Sequence, residues 1–72
     1  MEEIYKGHII IASAWPTDSH EWQPKLRIMW SEGARTLIAN PQITKYFPRR
    51  VEAEMEALAF AKKWIDNGKP DL

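Results

Sequence analysis

Trp22-Gln23-Pro24-Lys25-Leu26-Arg27-Ile28-Met29-Trp30 is the stretch whose reading decides the fold of this chain. Trp22, Leu26, Ile28 and Trp30 stand at even positions, and Gln23, Lys25, Arg27 and Met29 at odd ones. Successive side chains of a strand point to opposite faces, so this is a strand with one apolar and one cationic face. Pro24 cannot donate to a ladder and belongs near the strand's start. An apolar face needs a cover, and the chain offers one. From Arg50 to Asp66 there is no glycine or proline, and alanine, leucine, glutamate and lysine dominate. At roughly 100° per residue, Val51, Ala53, Ala57, Leu58, Phe60, Ala61, Trp64 and Ile65 fall on one broad arc. Glu52, Glu56, Lys62, Lys63 and Asp66 occupy the other. Ala53, Ala57 and Ala61 make a smooth centre that lets a helix lie close on a sheet, and Leu58 is expected to pack on Ile28. Glu54 projects toward the apolar face in the first turns, where it can reach solvent or a cation. Asn67-Gly68 supplies a left-handed cap, and Pro70 forbids resumption.

Two further strands flank the first. Lys6 to Trp15 is apolar on both faces at its centre, Ile9-Ile10-Ile11-Ala12, so it is central or covered twice. Turn-forming residues from Trp15 to His20 end it. Ser31-Glu32-Gly33-Ala34 is a hairpin connection with Gly33 suited to a positive φ. A third strand runs from Arg35 to Ala39, and Asn40-Pro41 interrupts it. Ile43 to Phe47 is either an irregular continuation or a short fourth strand. The expected fold is α+β, a three-stranded antiparallel sheet with that one addition in question, packed on one C-terminal helix. It forms a single domain over residues 1–72.

Seventy-two residues leave room for one core, and a chain this size buries only about 60% of its extended-chain surface. There is no cysteine, so disulfides and thiolate metal sites are excluded, and two histidines argue against structural zinc. Stability then rests on an aromatic core, for which four tryptophans are available, or on association with another chain. Met1-Glu2-Glu3 is acidic where a secretory signal is basic and then apolar, so a cytoplasmic location is expected. No apolar run approaches the ~20 residues of a membrane span. Net charge is zero, yet Lys25 to Arg50 holds six basic residues against Glu32 alone. From Val51 onward five acids, Glu52, Glu54, Glu56, Asp66 and Asp71, face three lysines. Such a division can steer a charged partner or reflect ordinary helix chemistry.

Catalytic chemistry is thinly represented. Asp18, His20 and Glu21 place three acid-base or metal-binding groups in one polar turn, a spacing that chance supplies readily. His8 reads as a strand histidine hydrogen-bonded at the sheet surface. No glycine-rich phosphate loop, nucleophile elbow or HExxH helix is present, so neither a cofactor nor a small-molecule ligand is implied and an enzyme is not expected. Trp15, before a proline at a strand end, would suit recognition if exposed.

Tyr5-Lys6-Gly7 before a strand, a Trp-centred second strand, and Phe47-Pro48-Arg49-Arg50-Val51-Glu52-Ala53 leading to Trp64-Ile65-Asp66 resemble a set of small uncharacterised bacterial proteins. In that pattern a threonine stands where this chain has Arg49, so the hydroxyl that would pair with Glu52 in a capping box is missing. The strand-strand-strand-helix order is also similar to the DNA-binding domain of plant ethylene-response factors and the arm-binding domain of phage-type integrases. That likeness implies nucleic-acid contact from the sheet, with Lys25, Arg27 and Arg35 at the matching positions.

The expectation is therefore a non-enzymatic binding or assembly module whose working face is the sheet side away from the helix. Lys25, Arg27, Met29 and Arg35 are the candidate contacts. Self-association, with Met29 central, is the first reading, and nucleic-acid binding through the cations is the alternative.

Overall fold

The computed structural model describes residues 1–70, so Asp71 lies outside it. Four strands, β1 (Glu2–Tyr5), β2 (His8–Pro16), β3 (Trp22–Glu32) and β4 (Arg35–Ala39), form an antiparallel sheet in the order β1-β2-β3-β4. Helix α1 (Arg50–Asp66) packs on one face. The α+β class and the C-terminal helix are as the sequence predicts. The fourth strand is not at Ile43–Phe47. It is β1, paired with β2 from Glu2 opposite Ile11 to Tyr5 opposite His8.

β1 escapes periodicity because its helix-side positions, Glu3 and Tyr5, carry polar groups bonded to the helix, with only the Tyr5 ring packed at the core's margin. Glu3 meets Lys62 at 2.6 Å. The Tyr5 hydroxyl donates to Asp66 Oδ2 at 2.8 Å, and Lys6 Nζ lies 2.6 Å from Asp66 Oδ1. The turn between β1 and β2 puts Lys6 (φ 48°) and Gly7 (φ 75°) in the left-handed region, the pair of conformations a tight type I′ hairpin requires. At the β3–β4 hairpin Gly33 has the positive φ (62°) that the sequence predicts, while Ser31 and Glu32 belong to β3, so the turn itself is Gly33-Ala34.

With β1 at its side, β2 lies inside the sheet, and α1 covers one of its two apolar faces. Its even residues Ile10, Ala12 and Ala14 face α1 and are buried together with Leu26, Ile28 and Trp30 of β3. Ala53, Ala57 and Ala61 are fully buried and bring the helix axis close to the strands. Trp30 and Trp64 meet edge-on at 6.1 Å, and Lys69 Nζ stands 4.6 Å from the Trp30 ring centre. Leu58 is only half-buried, at the margin of this cluster, and Val51 is exposed. Both belong to the flank of the arc rather than its centre. His8 is buried on the helix side, not at the open surface. Its Nδ1–H donates to the Lys6 carbonyl at 2.7 Å, and its ring lies 5.4 Å from that of Trp30.

The helix ends differ in quality. At the C-terminus Gly68 N–H bonds the Ile65 carbonyl and Lys69 N–H the Trp64 carbonyl, with Gly68 at φ 84°, which is the Schellman arrangement. At the N-terminus Arg49 is extended and makes no side-chain cap. Glu54 is largely buried between the Met1 ammonium at 3.6 Å and Arg50 Nε at 3.8 Å, the cationic neighbourhood its position called for.

Candidate functional site

Antiparallel register fixes which side chains share the sheet face away from α1. Ile4 lies opposite Ile9, Ile9 opposite Met29, and Met29 opposite Ile38. Four apolar side chains, one from each strand, thus stand in a single row across the whole sheet. Ile4 is 72% exposed, Ile38 54% and Ile9 40%, with Met29 half-buried between them. Open faces of antiparallel sheets normally carry polar residues, so a continuous apolar row is a departure that needs a cause.

Away from the row, toward Pro16 and Trp22, the same face changes character. The next rungs are Glu2–Ile11–Arg27, then Ser13–Lys25, then Trp15–Gln23. Trp15 is 62% exposed, with Lys25 Nζ 5.3 Å from its ring centre. Among the described residues, neither Lys25 nor Arg27 has a carboxylate within ion-pair distance.

A cleft of about 400 Å³ opens here, and its origin lies in the ladder. β4 stays in register with β3 only as far as Ala39 opposite Ile28, and pairing resumes at one bridge, Phe47 opposite Trp22. There the Trp22 N–H bonds the Phe47 carbonyl at 2.7 Å and the Phe47 N–H the Trp22 carbonyl at 2.9 Å. Six residue steps along β3 are spanned by eight along the facing segment, and Pro41 has no N–H to keep a ladder going. The segment therefore bows away from β3. It is held by Ile43, which is buried in the core, and it leaves the hollow beside Lys25 and Arg27. Ile43–Phe47 is thus an irregular continuation of β4.

The structure brings Lys25, Arg27 and Met29 onto one face and leaves Arg35 out. Arg35 faces Glu32 at the far end of β4, five residues or about 17 Å along β3 from Arg27. Strand alternation also sets it with Leu37 and Ala39 on the opposite side. Asp18, His20 and Glu21 do not gather into a metal-holding group, and no such group occurs among the described residues. The turn that carries them is organised by Thr17, whose N–H and hydroxyl both bond the Glu21 carbonyl, with His20 in the left-handed region at φ 64°. No helix of the described residues is long and apolar enough to cross a membrane.

Ile4 and Ile38 are the members of the row that periodicity missed. Ile4 stands among Glu2, Glu3 and Lys6, and Ile38 lies between Leu37 and Ala39 in a short apolar run without alternation, so only the strand register lines them up with Ile9 and Met29. A two-residue reading of Lys6-Gly7 as a hairpin turn was the signal that could have revealed β1 and, with it, Ile4. No known protein family, curated protein sequence or solved structure matches this chain.

Proposed function

We propose that this domain is a non-enzymatic assembly module, and that its open sheet face associates with a second copy of the same chain. The observation that carries this is the row Ile4–Ile9–Met29–Ile38, apolar on every strand and exposed at both edges. A two-fold contact sets like surfaces together, which suits an apolar row and penalises a cationic patch. One arrangement satisfies both. A two-fold axis running across the strands along the row lays each of its four residues against its own copy. It also turns Lys25 and Arg27 of each chain away from those of the other, over the hairpin between β3 and β4. Neutral Ser31 and Thr36 of that hairpin are paired on the row's far side, where Arg27 of the second copy would arrive.

Light scattering over a dilution series tests the reading. The expected result is a dimer mass that falls toward the monomer on dilution, and a monomer at every concentration for Met29→Glu, which places a carboxylate at the centre of the row. A monomeric mass for the unaltered chain throughout the series would sink it.

Nucleic-acid contact spread over Lys25, Arg27 and Arg35 has less support, since those residues do not share a surface. What remains of that reading is local, and it belongs to the cleft.

A further inference from the structure

The cleft beside β3 combines features that no part of the apolar row has. Trp15 offers an exposed indole at one end. Lys25 and Arg27 line its floor, two residues or about 7 Å apart on one strand, and have no carboxylate partner among the described residues. Gln23, Asn40 and Gln42 contribute amides that can both donate and accept. No acidic residue is among its lining. From this we propose that the cleft binds a nucleotide unit, with the base stacked on Trp15, its edge met by the amides, and its phosphate held by Lys25 and Arg27.

The choice of ligand follows from the charges and the ring together. Two cations without a carboxylate counter-charge in a concave site select an anion. A bare anion has no use for an exposed tryptophan, whereas a base has a π-face that stacks on it whatever its identity. An apolar or sugar ligand would leave both cations without a counter-charge. The ammonium of Lys25 already lies near the indole ring, so a phosphate drawn to Lys25 brings its base within reach of Trp15. Residues 40–44 wall the far side, which leaves room for an unpaired strand or a free nucleotide and not for a duplex laid flat on the sheet.

This inference does not rest on the dimer. Gln23 lies six residues, about 20 Å, along β3 from Met29, whereas the hairpin that a second copy would lay over this half reaches only four residues past Met29. Trp15 and Gln23 stay clear in either state, whereas Arg27 and Lys25, two and four residues from Met29, come under the hairpin of the second copy. Dimer and ligand therefore compete for these two cations, and Met29→Glu serves as the monomeric control with the cleft intact.

Fluorescence anisotropy of a short labelled oligothymidylate, titrated with the full chain at low ionic strength, tests the proposal, and thymidine monophosphate as competitor separates strand from free nucleotide. Binding is expected to weaken about 5- to 150-fold in Trp15→Ala and to recover in large part in Trp15→Phe. Lys25→Ala and Arg27→Ala are each expected to lower the slope of log affinity against log salt by about 0.7. Trp15 is exposed enough that its variants should melt with the parent, and matched melting curves establish that. Competition by the monophosphate at concentrations near the oligonucleotide's own supports a free nucleotide as ligand, and its failure to compete supports a strand. No binding by any probe, an affinity indifferent to Trp15→Ala, or equally tight binding of tripolyphosphate or polyglutamate would overturn the proposal.

Discussion

Arg49 holds the N-cap of α1 with extended backbone (φ −125°, ψ 143°), and its side chain bonds none of the free N–H groups of the first turn. Glu52 stands three residues on, where a capping box places its acid. Arg49→Thr would complete the box and is expected to stabilise the domain by about 1 kcal/mol. In a chain this short that raises the melting temperature by about 4–8 °C, readable in a thermal scan, and an unchanged or lower value would show that the extended cap is strained in some other way. At the opposite end of the helix, hydrogen bonds from Lys6 and then Tyr5 hold the Asp66 carboxyl below its ordinary 3.8, and bonding to Asp66 raises Lys6 above 10.5. A depressed carboxyl stabilises the fold above its ordinary value and loses that contribution as pH falls through the folded one. A raised lysine stabilises below its ordinary value and loses that contribution as pH rises through the folded one. The tether between the β1–β2 turn and the helix end is therefore expected to act between about pH 3.8 and 10.5. Asp66→Asn should lower the melting temperature at neutral pH and converge on the parent in acid. A gap that persists in acid would assign the loss to packing instead.

Among the elements, α1 was the most legible and β1 the least, and the contrast has one cause. α1 faces the sheet with apolar carbon, so its period shows in the order of residues. The helix-side residues of β1 are Glu3 and Tyr5, whose partners Lys62 and Asp66 lie about sixty residues away in sequence. No local pattern announces them. The alanine stripe was also legible, and its consequence can be tested. Ala57 is fully buried over β2 and β3, so Ala57→Leu has to push the helix off the strands and is expected to cost about 1–3 kcal/mol. Ile28→Ala, at a side chain with no exposure, should cost about 2–5 kcal/mol, more than the same truncation at half-buried Leu58. Chemical denaturation of the two variants would reverse our placement of the core if Leu58→Ala proved the more damaging.

At the scale of the whole molecule, one helix covers one face of four strands and the other face is left in two halves, apolar and cationic. A core this small leaves limited stability, so association would contribute appreciably to it. If the row is buried in a dimer, the melting temperature of the unaltered chain is expected to rise with protein concentration, while that of Met29→Glu stays constant. A dilution-independent melt for both chains would assign the row's exposure to the monomer itself.

Residue order alone determined the class of the fold, the helix with its stop, the cationic alternation of β3 and the doubly apolar character of β2, because each is written in neighbours two to four positions apart. It also placed Trp15 where exposure mattered and Arg49 where a cap was missing. Tertiary structure alone decided that β1 is the fourth strand, that Ile4 and Ile38 join Ile9 and Met29 in one row, and that Arg35 stands apart from Lys25 and Arg27. It likewise decided that the irregular stretch after Pro41 bows out to make a cleft. Each of these depends on strand register, and register is set by turns and by pairing between residues distant in sequence, so it has no signature in any one segment.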